Sequence, residues 1–293
     1  MTKIKNWYIC FLEKERKNIL ELLFYCFLYL LSLLYGLGIY LRNFLYDKKI
    51  IKQFSSPKAV LSIGNICWSG TGKTTLALYL YKKLAIGHKV AVLRRGYGTD
   101  EESMFKEEGV EVLTSANRIQ LIKNHASSFD TFILDDGFQY RKLKRDLNIV
   151  IMGARELRRK ARLIPAYFFR ESFASLKRAD ILILNYKDEL EAPMKAKKRF
   201  EKIFPYLSVY LSSYRVRRFA DIGGSEIPVE FLRERRLAAL AAIGYPGGFF
   251  RKLRELNLRI EKEIIYPDHH QFRRSEFHAL EEALLRDGIR DVV

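Results

Sequence analysis

Between Ala59 and Ala85 three patterns follow one another without a break. An apolar run (Ala59 to Ile63) leads into a turn rich in small residues (Gly64 to Thr75), and a stretch with Leu76, Leu80 and Leu84 at four-residue spacing follows. That is the order of a β-strand passing through a phosphate-binding loop into a helix. Backbone N–H groups of such a turn, together with a free helix N-terminus, surround phosphate oxygens. The candidate nucleotide contacts are Ser69, Gly70, Thr71, Gly72, Lys73, Thr74 and Thr75. Lys73 is placed to reach the terminal phosphates as a catalytic cation, and the Thr74 hydroxyl to bind Mg²⁺. Cys67 stands where the G-x-x-x-x-G-K-[ST] pattern has its first glycine, so the match is incomplete, and a turn that binds nothing is the alternative.

From Lys58 onward short apolar runs alternate with helical segments: Val90 to Leu93, Val110 to Leu113, Thr131 to Leu134, Asn148 to Met152 and Ile181 to Leu184. The alternation predicts an α/β fold of the P-loop type, a mostly parallel sheet with helices on both faces. Ligands in such sheets lie beyond the carboxyl ends of the strands. Arg94-Arg95-Gly96 and Asp135-Asp136-Gly137 fall at such ends. The paired carboxylates Asp135 and Asp136 suit holding Mg²⁺ or the water around it, with Thr74 as the third candidate metal contact.

Before this core, Leu22 to Leu41 carries no charged residue. Its length meets the roughly 20 apolar residues needed to cross a bilayer. Lys14, Arg16 and Lys17 precede it and Arg42, Lys48 and Lys49 follow it, so the flanks give no orientation. A hydrophobic helix buried in the protein is the alternative to membrane association, spanning or half-embedded. Fifty-two Lys and Arg against 34 Asp and Glu give a net charge of +18, a field that attracts phosphates, anionic lipid or nucleic acid. The basic clusters at 155–162, 195–199, 215–218 and 233–236 accompany no recognised nucleic-acid module, so no nucleic-acid partner is expected. Cys10, Cys26 and Cys67 are far apart without metal-ligand spacing and suit a reducing compartment.

After residue 206 the pattern changes. Val209, Leu211 and Tyr214 alternate, and with Asp221 to Gly224 and Ile227-Pro228 they predict a two-stranded hairpin. Leu237 to Ile243 then opens a second, smaller α/β lobe. The expected organisation is a membrane-associating segment at 1–57, a P-loop core at 58–206, a hairpin linker at 207–230 and a C-terminal lobe at 231–293. Two further stretches bear on function. Asp268-His269-His270 suits general-base chemistry or a helix start. Asn185-Tyr-Lys-Asp188 is close to the guanine-reading Asn-Lys-x-Asp of GTP-binding proteins, but its Lys comes one position late.

Taken in order, these pieces resemble the tetraacyldisaccharide 4′-kinases, the lipid A 4′-kinases of Gram-negative bacteria. The likeness runs from about Leu31 to the end of the chain. It is carried by Leu34-Tyr-Gly-Leu37, Ser62-Ile-Gly-Asn65 leading to Gly70-Thr-Gly-Lys-Thr74, Arg95-Gly-Tyr-Gly98, Asp135-Asp-Gly-Phe-Gln139, Arg178-Ala-Asp180, Gly244-Tyr-Pro-Gly-Gly-Phe-Phe250 and Asp268-His269. That family also lacks the first Walker glycine, which accounts for Cys67. The resemblance implies an enzyme that moves the γ-phosphoryl group of ATP, with Mg²⁺, to the 4′-hydroxyl of a tetraacyl disaccharide 1-phosphate at the cytoplasmic face of the inner membrane. It also implies a membrane-contacting N-terminal helix. By the family pattern Asp100 is the catalytic base and His269 the histidine that orients it.

The chain departs from the family in three places. Thr99-Asp100-Glu101-Glu102 follows Gly98 directly, where the family has an insertion before Gly-Asp-Glu-Pro. Arg158 to Glu171 replaces a segment that the family writes with Gly-Asn-Gly before Leu-Pro-Ala-Gly-Pro-Leu-Arg-Glu. The sequence stops at Asp291-Val-Val293, just where the family continues into Thr-Glu-Lys-Asp. A shortened C-terminal lobe is therefore expected. The rival readings are a membrane-associated GTPase switch and a catalytically inactive P-loop scaffold.

Overall fold

The computed structural model describes residues 7–293 except 9, 13, 15, 69, 97–98, 154–155, 158–161, 187–190, 244–245, 268–269 and 271; within 99–102 only the backbone is described. The chain divides into two compact units, the larger ending at Ser213 and the smaller running from Tyr214 to Val293.

The larger unit is built on seven parallel strands: β1 (Ala59–Gly64), β2 (Val90–Arg94), β3 (Val112–Thr114), β4 (Thr131–Asp135), β5 (Leu147–Gly153), β6 (Ile181–Tyr186) and β7 (Ser208–Ser213). Their order across the sheet is β3-β2-β4-β1-β5-β6-β7. Helices α1 (Ile19–Asp47), α2 (Lys73–Leu84), α3 (Thr99–Glu107), α4 (Arg118–His125) and α5 (Glu191–Ile203) belong to the same unit. The strands read as unbroken apolar runs because both faces are covered. In β2, Val90 and Val92 join a cluster with Ala77 and Phe105, whereas Ala91 and Leu93 join one with Ile122 and Phe132. The centre of the sheet is β1, flanked by β4 and β5. The loop leaving β1 therefore opens where the order of connection reverses, the usual ligand crevice of such sheets.

The predicted hairpin requires correction. Residues 208–213 form β7, paired in parallel with β6, and only Phe219–Ala220 (β8) and Glu226–Ile227 (β9) make the two-stranded hairpin. Val209 packs on the main core with Leu182 and Leu184. An edge strand with one buried face alternates just as a hairpin does, so the two patterns look alike in sequence. The larger unit consequently runs past residue 206 to Ser213, and it includes the N-terminal helix.

In the smaller unit β10 (Leu237–Ala241) lies between β11 (Ile260–Ile265) and β12 (Asp291–Val292), all parallel. Helices α6 (Val229–Arg233), α7 (Pro246–Glu255) and α8 (Arg274–Arg286) accompany them. Phe250 and Leu253 of α7 pack on Leu237 and Ala239.

Candidate active site

The loop after β1 ends at Gly72, whose φ of 94° places the left-handed turn directly before the first residue of α2, Lys73. A side chain at Gly72 would strain that conformation. Asn65, buried at the loop's start, donates from Nδ2 to Thr71 Oγ1 at 3.3 Å, and its carbonyl accepts from Gln139 Nε2 at 2.8 Å. Asn185, at the end of β6, donates from Nδ2 to the Thr71 carbonyl at 3.1 Å. Cys67 is wholly buried and bridges to Phe169, while Trp68 N donates to the Phe168 carbonyl at 2.6 Å. Neighbouring segments thus hold the loop where a first glycine would otherwise have turned it.

Beside the loop stands the end of β4. Asp136 adopts a φ of 51°, unusual outside glycine, and its carboxylate faces Lys73 Nζ at 3.6 Å and Arg170 Nη1 at 2.9 and 3.1 Å. Burial pushes the Asp136 carboxyl upward, but Lys73 and Arg170 outweigh it and hold the group below the usual carboxylate range. Asp135 accepts from Arg94 Nε at 3.2 Å, with both side chains almost fully buried, and its carbonyl accepts from Arg118 Nη1 at 3.2 Å. Arg118 also lies over the Tyr140 ring at 4.1 Å. Behind the turn, Arg145 Nη2 donates to the carbonyls of Gly137 and Phe138 at 2.7 and 3.0 Å. Burial, reinforced by the charges of Arg178 and Arg141, pushes the Arg145 guanidinium down to about 10. Gly64 allows this close approach, since a Cβ there would stand 2.5 Å from Phe138 Cβ.

These groups open into one cleft of about 820 Å³. Lys73, Thr74, Asp135 and Asp136 line it on one side, and Tyr35, Ile39 and Arg42 of α1 on another. Arg94, Arg95, Arg118 and Arg170 also line it, so cations outnumber carboxylates and the cleft suits a polyanion.

Among the predicted site residues, the structure brings Lys73, Thr74, Asp135 and Asp136 together. Gly70, Thr71 and Thr75 lie in the loop or the first turn of α2, and Ser69 lies outside the described residues. Asp100 is the second residue of α3, its side chain outside the described set, as are Asp268 and His269. Arg118 and Arg170 were not singled out from sequence as site groups; isolated arginines in a chain this basic carry no periodic signal. The Asn185 segment, close in sequence to a guanine reader, uses its asparagine to brace the phosphate loop.

The fold and the loop define the class: an α/β protein of the P-loop nucleotide-binding kind. The sequence profile described as tetraacyldisaccharide-1-P 4′-kinase matches residues 24–107 and 100–292. The tetraacyldisaccharide 4′-kinase of Aquifex aeolicus is 32% identical over 267 residues, covering 82% of this chain and 81% of its own length. Those of Halothermothrix orenii (28% identical; 94% and 82% covered) and Porphyromonas gingivalis (32%; 83% and 75%) are similar as well. The crystal structure of the Aquifex aeolicus protein, an "apo" form in complex with ATP, superposes with a TM-score of 0.62 at 29% identity, covering 82% of this chain and 81% of that one. The chain belongs to the tetraacyldisaccharide 4′-kinase family.

Proposed function

We propose that this chain carries out its family's reaction, transfer of the γ-phosphoryl group of ATP to the 4′-hydroxyl of a tetraacyl disaccharide 1-phosphate in lipid A biosynthesis. The observation that carries the reading is the shared cleft. Its walls hold both a phosphate loop and residues of a long apolar helix, so a nucleotide and a lipid-borne hydroxyl have one place to meet. Phosphoryl transfer asks mainly for positioning and for neutralising the charge on the transferred group. Lys73 and Arg170 supply that charge.

Magnesium ions usually enter such sites with the nucleotide, keeping several waters and taking one or two protein ligands. No group of three His, Cys, Asp or Glu side chains gathers among the described residues, so the chain offers no cage for a metal alone. The Thr74 hydroxyl, lining the cleft at the start of α2, fits the ligand role. Asp135 and Asp136 are already ion-paired with arginine and lysine and fit the ion's water shell. When bound, Mg²⁺ neutralises charge on the β- and γ-phosphates.

Asp100 is the proposed general base that takes the 4′-hydroxyl proton, and His269 the group that orients and tunes it. Membrane association on the cytoplasmic side of the inner membrane completes the reading, because an acylated substrate stays in the bilayer. The test incubates the protein with ATP or GTP, Mg²⁺ and the acylated disaccharide 1-phosphate in detergent. ATP-dependent gain of one phosphate on the lipid is expected. GTP hydrolysis without lipid phosphorylation supports a switch instead, and nucleotide binding without turnover supports an inactive scaffold.

A further inference from the structure

Glu171 is wholly buried, and a carboxylate stays ionised away from water only where donors meet its oxygens. Arg178 Nη2 is one such donor, and the two others among the described residues come from α1: Arg42 Nη2 at 3.3 Å and Asn43 Nδ2 at 3.0 Å. Both belong to a stripe of the helix, stepping by three, four or seven residues, that docks on the larger unit. Tyr25 accepts from Arg162, Ser32 Oγ donates to the Leu163 carbonyl at 2.9 Å, Tyr35 OH donates to the Arg170 carbonyl at 2.9 Å, and Asp47 accepts from Arg141 Nη2 at 2.7 Å.

The segment that α1 grips is in contact with the phosphate loop. Arg170 and Glu171 both donate from their backbone N–H groups to the carbonyl of Ile66, at 2.8 and 3.3 Å, and the preceding Phe169 bridges to Cys67. The Arg170 guanidinium meets Asp136 at 2.9 and 3.1 Å, and Asp136 in turn faces Lys73 at 3.6 Å. Two successive residues thus join α1 on one side to the phosphate loop and the end of β4 on the other. Tyr35 holds the Arg170 carbonyl, Ile66 holds its N–H, and the anchored Glu171 holds the residue after it. A long side chain fixed at its root loses less freedom when its tip meets a phosphate, and such preorganisation raises affinity.

We infer that Glu171 is a positioning residue for the nucleotide, and that the Arg42-Asn43 end of α1 belongs to the nucleotide site through it. By holding Glu171, the helix sets Arg170 in place before ATP arrives. Among the described residues that line the cleft, Arg42 is one and Asn43 is not, so an effect of Asn43 on ATP has to be relayed. The inference rests on the reading that ATP binds at the phosphate loop; the identity of the acceptor does not enter it.

Glu171→Gln removes the anion but leaves Arg178 and Arg42 facing a neutral group in the interior, so a loss of fold would obscure its effect. The experiment therefore uses the full chain in detergent as wild type, Asn43→Ala, Arg170→Ala and the double variant, each titrated with ATP and Mg²⁺ by calorimetry in the absence of lipid substrate. Asn43→Ala should weaken ATP binding by about three- to tenfold, the order of one hydrogen bond. In the Arg170→Ala background the same change should weaken it by under about twofold, because residues that share one relay are not additive. An equal loss in both backgrounds overturns the inference. The effect then runs through Arg141, whose Nη1 donates to the Asn43 carbonyl at 3.0 Å and to its Oδ1 at 3.3 Å, or through the fold as a whole. Wild-type affinity in Asn43→Ala overturns it as well. Lipid phosphorylation by the wild type is measured in the same detergent. Coupled ATP affinities without it count against the proposed transfer alone, and uncoupled affinities with it count against the positioning role alone.

Discussion

Lys73 Nζ lies 3.6 Å from Asp136 Oδ1, and the same carboxylate accepts two contacts from Arg170 at 2.9 and 3.1 Å. The phosphate-loop lysine thus waits on an acidic partner that a nucleotide's terminal phosphate can displace. Replacing Lys73 by Ala removes a charge directed at the transferred group. A loss of about 10²–10³ in kcat is expected, measured as lipid phosphorylation at saturating ATP. Unchanged activity would remove the loop assignment.

The Asp136 carboxyl also has a signature in stability. Its pKa is depressed in the folded protein, so its contribution is present above the unfolded value near 4 and is lost as pH falls through the folded one. The difference in Tm between wild type and Asp136→Asn should be constant from neutral pH down to about 5 and should shrink below about 4. A difference that instead changes between pH 6 and 8 would point to another titrating group.

Asn185 separates the kinase reading from the switch. Because its Nδ2 braces the Thr71 carbonyl, Asn185→Ala should loosen the phosphate loop and raise the KM for ATP by about tenfold, the order of one hydrogen bond. The ratio of ATP to GTP use should stay as it was. A change in base preference would show that this asparagine reads the base.

Most strands were legible before the structure because burial on both faces leaves unbroken apolar runs, as in β1, β2, β4, β5 and β6. The edge strand β7 was not, since one-sided burial alternates in any setting. The phosphate loop and Asp135-Asp136 could be read because their chemistry lies in consecutive residues. Arg170 and Glu171 could not, since partners more than 30 residues away help to define each of them, Asp136 for the one and Arg42 and Asn43, beside the nearer Arg178, for the other. The docked stripe of α1 was hidden for a similar reason: a serine and tyrosines among leucines do not announce a polar partner.

The turn that aims Asp136 depends on groups behind it. Gly64→Ala would drive a methyl group into Phe138 and should destabilise the fold by about 1–3 kcal/mol. Arg145→Met leaves the Gly137 and Phe138 carbonyls without their donor and should cost about 1–3 kcal/mol. Thermal or urea unfolding measures both, and wild-type stability in either variant would contradict the packing described.

If Asp100 is the base and His269 its partner, Asp100→Ala and His269→Ala should each lower kcat by orders of magnitude with ATP affinity nearly intact. The double variant should be hardly worse than the more damaging single one, as for residues that act as a unit. Wild-type kcat in Asp100→Ala would move the base to Asp135 or Asp136.

The central claim is the transfer itself, and the most direct measurement follows the phosphate. With ATP labelled in the γ-phosphate, Mg²⁺ and tetraacyl disaccharide 1-phosphate, label should enter the lipid at the 4′-oxygen. The 4′-deoxy analogue should take up none, and Lys73→Ala should slow the transfer by about 10²–10³. Label released as inorganic phosphate at the same rate with or without the 4′-hydroxyl, and never found on the lipid, would contradict the account.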